Sequence, residues 1–225
     1  MGLRLIIANK NYSSWSLRPW LAMKVAGIAF DETLISLDAP DFKSRLAALG
    51  GVAGKVPVLL DGDTCVWESL AILEYLAEKF PRSALWPDDP AARAHARAIA
   101  SEIHAGFEPL RRQLPMNIRR PVRRRVLEPD AVADVARIDA IWSECRSRFG
   151  VRGDFLFGAF GAADAMYAPV VWRFQTYAVE VSDAARAYMH AIMALPASRE
   201  WREDARRETW ILPDDEIDWP QVPRE

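Results

Sequence analysis

The chain changes character once, at residues 81–90, where three prolines and two aspartates fall within ten positions. That density marks a connection and not a packed element. Ahead of it, short apolar runs alternate with helical patterns. Residues 4–8 form a brief apolar run bounded by turn formers, which predicts a buried strand. Residues 17–26 read as a helix closed by Gly27, residues 30–37 as a second strand, and residues 42–49 as a short helix stopped by Gly50 and Gly51. Residues 58–60 and 64–67 flank Asp61-Gly62-Asp63, a strong tight-turn signal for a hairpin. Residues 69–80 place Leu70, Leu73, Leu76, Ala77 and Phe80 on one helical face. The predicted order β-α-β-α-β-β-α is a compact α/β unit. Behind the connection only helices are predicted, at 91–113, 130–149, 162–177, 182–194 and 198–208. The expected organisation is an α/β domain over 1–81, a linker over 82–90 and an all-helical domain over 91–225.

Composition narrows the class. A chain of 225 residues that is 51% hydrophobic can bury a sizeable core. A formal net charge of −2 argues against a global nucleic-acid footprint. No run approaches the ~18 apolar residues of a membrane span, and the run before Asn9 and Lys10 is too short for a signal peptide. Cys65 and Cys145 lie far apart and suggest no disulfide framework, so a cytoplasmic protein with neither nucleic-acid nor membrane partner is expected. Both cysteines read as small core residues. His95, His104 and His190 have no metal-ligand spacing, so no metal site is expected.

Three short segments carry the chemistry. In residues 9–18, Ser13, Ser14 and Ser16 crowd a helix entrance, where serine most often caps. Pro19 belongs in a first turn, which makes Ser16 the better cap and leaves Ser13 and Ser14 on the loop, near the positive end of the helix dipole. In residues 55–59, Val56-Pro57 precedes a strand. A cis bond there would present Val56 as a backbone edge able to pair with an extended peptide, although a trans proline at a strand start is commoner. In residues 67–76, Glu68 can bind an ammonium group, while Ser69 and the helix N–H groups can take a carboxylate. Serine at that position is equally a good cap. Together the last pair suits the end of an α-amino acid.

In this order and spacing the three segments resemble the glutathione S-transferase family. The resemblance covers nearly the whole chain. It implies a thioredoxin-like α/β N-terminal domain followed by an all-α C-terminal domain, with glutathione as co-substrate and a homodimeric assembly. Val56-Pro57 and Glu68-Ser69 look like the family's cis-proline and its γ-glutamyl-binding pair, and Lys55 or Lys43 would meet the glycine carboxylate. The run from Ser13 to Arg18 is similar to the zeta class, which selects Ser13 as the hydroxyl that stabilises the thiolate. Counting back from Arg18 as in theta-like classes selects Ser14, and the tyrosine-type classes point to Tyr12. Trp15 stands where the zeta class has cysteine, so mixed-disulfide chemistry is not expected. Residues 158–164 resemble the family's helix-capping motif, with Gly161 in place of its Ser/Thr and Asp164 retained.

A free thiol has a pKa near ~8.5 and needs such a donor to ionise at neutral pH. The activity implied is attack of that thiolate on a small electrophile. The alternatives are a glutathione-dependent cis–trans isomerase of maleylacetoacetate or maleylpyruvate type, and a non-catalytic binding protein of the same fold. The arginine run over 119–125 reads as a solvated loop, or as an overhang favouring acidic substrates. Met116 and Trp172 are candidates for the apolar half of the site, and Trp201, Trp210 and Trp219 for packing.

Overall fold

The computed structural model describes residues 2–217. Strands β1 (Leu3–Ile7), β2 (Phe30–Leu34), β3 (Val58–Asp61) and β4 (Thr64–Trp67) form one sheet in the order β2-β1-β3-β4. β1 and β2 are parallel, while β1/β3 and β3/β4 are antiparallel. The β3–β4 turn closes as expected because Gly62 takes φ 59°, a conformation open to residues without a Cβ. Alternation along β1 sends Leu5 and Ile7 to one face and Ile6 to the other. Leu5, Ile7 and Leu59 meet Leu17 and Leu21 of α1 (Ser14–Val25) and Ile72, Leu73 and Leu76 of α3 (Ser69–Lys79). Ile6, Ile35 and Val58 pack on Leu46 of α2 (Phe42–Ala48).

A turn at Pro81–Ser83 follows α3, and the helical domain begins at Pro90. It comprises α4 (Pro90–Ala105), α5 (Glu108–Gln113), α6 (Pro129–Arg148), α7 (Ala162–Thr176), α8 (Asp183–Ala194) and α9 (Pro196–Arg207). The sheet-and-helix unit is thioredoxin-like and the second unit is all helical. α7 is buried along nearly its whole length and packs against α1, α4 and α8. The single helix expected over 91–113 is two. Gly106 ends α4, Phe107 turns left-handed at φ 62°, and Pro109 sits in the first turn of α5. β2 is also shorter than expected, ending at Leu34.

The two units are pinned by a buried cation. Lys10 Nζ lies 2.9 Å from Glu32 and 2.8 Å from Asp204 on α9. The rings of Trp20 and Trp201 meet at 5.0 Å beside it, and the Trp201 indole donates to the Lys10 carbonyl at 2.9 Å. Trp210 is exposed and Trp219 lies outside the described residues. Cys145 is buried in the core, and burial pushes its thiol up to about 12. Cys65 is half-buried on β4 rather than a core residue, its sulfur 3.4 Å from the Gly50 carbonyl. Among the described residues, no helix is long and apolar enough to cross a membrane, and no group of three His, Cys, Asp or Glu could hold a metal.

Candidate functional site

Trp15 in the first turn of α1, Lys55, Val56 and Pro57 ahead of β3, and Trp67 and Glu68 at the start of α3 enclose a cavity of about 150 Å³. The Val56-Pro57 bond is cis. Glu68 is held at φ 67°, ψ 126°, a conformation rare for a residue with a side chain. Its carboxylate is half-exposed and lies 3.7 Å from His104 Nε2. Lys55 is exposed at the rim, whereas Lys43 sits on α2 outside the lining residues.

Ser69 departs from expectation. Its side chain is fully buried, accepts from Arg18 Nη1 at 3.4 Å, and points its hydroxyl at Met166 Sδ, 3.9 Å away. The hydroxyl serves the contact between the two units, so an anion at this helix start meets backbone N–H groups.

The three hydroxyl candidates separate. Ser13, not Ser16, caps α1: its Oγ accepts from the Ser16 N–H at 3.3 Å and donates to Ser16 Oγ at 2.8 Å. The expectation failed because α1 starts a turn earlier than Pro19 suggested, and the helix carries that proline internally. Tyr12 is buried. Its hydroxyl donates to Glu216 at 2.6 Å and accepts from Arg119 at 2.8 Å, and burial together with Glu216 raises its pKa. Ser14 is half-exposed, and its Oγ accepts from Arg173 Nη2 at 3.3 Å. Among the described residues its hydroxyl proton has no acceptor.

Arg173 belongs to a group that the sequence reading missed. Arg18 lies 4.1 Å and Arg111 4.9 Å from the Trp15 ring, and the His104 ring meets that indole edge-on at 5.3 Å. These guanidiniums donate mainly to neutral carbonyls: Arg18 to Met166, Arg111 to Ile103 and His104, Arg173 to Leu114 and Arg111. None forms an ion pair among the described residues. Burial, and then the neighbouring cations, pull Arg18 well below its usual range. Arg173 falls to about 10, chiefly through burial. Burial, followed by the charge on Arg18, also lowers His104, so its imidazole is neutral at physiological pH. The surroundings of Ser14 and Trp15 are therefore strongly positive. One signal was available in the sequence: His104 and Arg111 are two turns apart in what reads as one helix.

The remaining candidates fall elsewhere. Met116 and Trp172 are buried and line no part of this cavity. The arginine run is not simply solvated. Arg119 reaches the Glu208 and Trp210 carbonyls as well as Tyr12, and Arg120 is buried over the Tyr177 ring at 4.6 Å.

Two family models match: glutathione S-transferase, N-terminal domain, over residues 12–79, and glutathione S-transferase, C-terminal domain, over residues 90–207. A probable maleylacetoacetate isomerase of Caenorhabditis elegans is 39% identical over 97 residues, 43% of this chain and 44% of that protein. A stringent starvation protein A homolog of Pasteurella multocida is 29% identical over 143 residues, 63% of this chain and 62% of that protein. The chain thus spans less than two thirds of the length of either relative. A maleylacetoacetate isomerase from Anaeromyxobacter dehalogenans, solved with glutathione in its active site, superposes with a TM-score of 0.64 at 24% identity, covering 92% of this chain and 97% of that one. At that identity the likeness speaks for the fold.

Proposed function

The chain belongs to the glutathione S-transferase family, and from that premise we propose that it binds glutathione, holds its thiol as the thiolate and adds it to a small electrophile. The γ-glutamyl end lies at Glu68 and the first turn of α3, the backbone of Val56 pairs with the extended peptide, and Lys55 meets the glycine carboxylate. Ser14 activates the sulfur. The observation that carries this assignment is the Arg173–Ser14 hydrogen bond. A cation donating to Oγ leaves the hydroxyl proton free to donate onward and makes it a better donor. Ser13 and Tyr12 have their hydroxyls committed to partners within the protein.

In the step itself the thiol proton passes to solvent, the sulfur lone pair forms a C–S bond, and the electrophile expels its leaving group or takes up a proton. Ser14, Arg173 and the N-terminus of α1 favour the anion over the thiol. The indole of Trp15, with the guanidiniums of Arg18 and Arg111 against its ring, flanks the site on one side. We also infer a cytoplasmic homodimer, on the strength of family membership.

The test is the ultraviolet absorbance of bound thiolate together with glutathione affinity. Ser14→Ala is expected to remove the thiolate signal and lower turnover by about 100-fold, the scale for losing one donor to a developing anion, with binding retained. Ser13→Ala is expected to keep the signal and cost about 1 kcal/mol of stability, the price of an N-cap. Loss of the signal in Ser13→Ala alone would overturn the assignment. Glutathione binding with no thiolate signal in the native protein would indicate a binding protein.

A second reading, glutathione-dependent cis–trans isomerisation, draws on the guanidiniums of Arg18, Arg111 and Arg173, which form no ion pair among the described residues and suit an electrophile carrying carboxylates. Faster turnover of maleylacetoacetate than of a neutral aryl halide would favour it.

A further inference from the structure

Glu68 lines the first cavity, the one at Trp15. Among the described residues its carboxylate makes no hydrogen bond, and its one ion-pair contact is with His104, whose Nε2 lies 3.7 Å from Oε2. That separation is too long for a hydrogen bond, and closing it by roughly 1 Å would make one. His104 stands in the last turn of α4, with its ring edge-on to the Trp15 indole. Its Nδ1 is buried and has no partner among the described residues.

These contacts fix where the ring carries its proton. A neutral imidazole has one N–H and one bare nitrogen. A buried N–H without an acceptor is rarer than a buried acceptor without a donor, so the proton belongs on Nε2, facing Glu68. Three charged groups face this ring from other elements: Arg18 of α1, Glu68 at the start of α3, and Arg111 of α5. On its own helix, Glu102 is engaged by Arg137 at 2.7 Å. Burial, followed by Arg18, lowers the imidazole against the opposing pull of Glu68. The two charge states of the ring would act on Glu68 in opposite ways. A neutral Nε2–H orients the carboxylate and leaves its charge intact for an incoming cation. A protonated ring pairs with the carboxylate, and an ammonium arriving there meets a charge already neutralised.

We infer that His104 is the positioning residue for Glu68: its neutral Nε2–H fixes the carboxylate that receives the ammonium of the γ-glutamyl end, and acidification closes the site to that ammonium. The inference rests on the glutathione reading and adds to it a residue and a pH response. Affinity is full while the ring is neutral and falls as the pH drops and the ring takes up its second proton.

Isothermal titration of the full chain with two peptides tests it. One is S-methylglutathione, whose blocked sulfur does not titrate, and the other is its glutaryl analogue, which lacks only the amino group. Between pH 7.5 and pH 5, native affinity for S-methylglutathione is expected to fall about two-fold or more beyond any change for the analogue. His104→Ala is expected to weaken S-methylglutathione about five-fold or more, the scale of one lost hydrogen bond to a charged group, and the analogue less than about two-fold. His104→Gln, whose amide N–H donates without titrating, is expected to restore affinity at pH 7.5 and to lose the pH response. Equal weakening of both peptides by His104→Ala would mark a merely structural histidine and overturn the inference. So would a pH response that survives in His104→Gln. A native protein that binds S-methylglutathione and ignores both substitutions would sink this inference alone, whereas one that binds neither peptide would sink the glutathione reading and this inference with it.

Discussion

Glu68 occupies a backbone conformation that residues with side chains avoid, φ 67° and ψ 126°, at the point where α3 begins and the first cavity is lined. Such a conformation costs on the order of 1–3 kcal/mol and persists only where its surroundings impose it. Its neighbour Ser69 is locked under Arg18 and Met166, and β4 ends one residue before it, so Glu68 is held from both sides. Glycine accepts this conformation readily. Glu68→Gly is therefore expected to leave stability unchanged or raise it by about 1 kcal/mol, measured by urea denaturation, while weakening glutathione binding by ten-fold or more through loss of the carboxylate. Glu68→Gln separates the two effects: it keeps the strain and removes only the charge. A parallel loss of stability and affinity in Glu68→Gly would show that the conformation is not strained.

The start of α7 shows what an exception to a capping rule can signify. Gly161 supplies no side-chain cap, and the Asp164 carboxylate instead accepts from the Gly161 N–H at 2.8 Å and the Leu156 N–H at 3.1 Å. A Cβ at Gly161 would stand 2.8 Å from the Leu85 carbonyl oxygen, which the Ala162 N–H reaches at 2.7 Å. The glycine lets the connecting segment lie directly on the helix entrance. Gly161→Ser, which restores the family's usual cap, is accordingly expected to destabilise the protein by about 1–3 kcal/mol in thermal or urea unfolding, because the backbone must give way. A gain in stability would refute that. Legibility follows the same division between local and distant causes. The β3–β4 hairpin and α3 could be read because Gly62 and a one-faced apolar repeat are local signals. The break between α4 and α5 is the exception: Gly106 and Pro109 mark it locally, but the apolar repeat that runs on across them made 91–113 read as one helix. The segments that meet at the first cavity were legible as a set, yet the different settings of the Tyr12, Ser13 and Ser14 hydroxyls were not. They turn on Arg173 and Glu216, which only the folding of distant segments brings to those hydroxyls.

Across the whole molecule, the segment after α9 returns over the first unit. Glu208 accepts from the Lys10 and Asn11 N–H groups at 2.5 and 3.0 Å, Arg119 holds the Trp210 carbonyl, and Glu216 takes the Tyr12 hydroxyl. Burial raises Asp215 to about 6, partly offset by Arg173 and reinforced by Asp214 and Glu216. The docked segment thus holds that proton more tightly than a free one would. Its contribution is complete below about pH 4 and is lost as the pH rises through about 6. Hydrogen exchange over residues 209–217 is expected to be several-fold faster at pH 8 than at pH 5, after correction for intrinsic rates. Asp215→Asn is expected to abolish the difference, and a segment equally protected at both pH values in the native protein would contradict the linkage. The cations gathered at Ser14 and Trp15 carry a consequence of a different kind. With no anion present, Arg18, Arg111 and Arg173 repel one another in a poorly hydrated space, and on the proposed function a bound thiolate would relieve that repulsion. A ligand at 100 times its dissociation constant adds about 2.7 kcal/mol to any fold that only the native state can bind. On the proposed function, exposure to proteases depends on how much glutathione surrounds the protein, so starvation for the thiol would shorten the lifetime of the molecule as well as halt the proposed turnover.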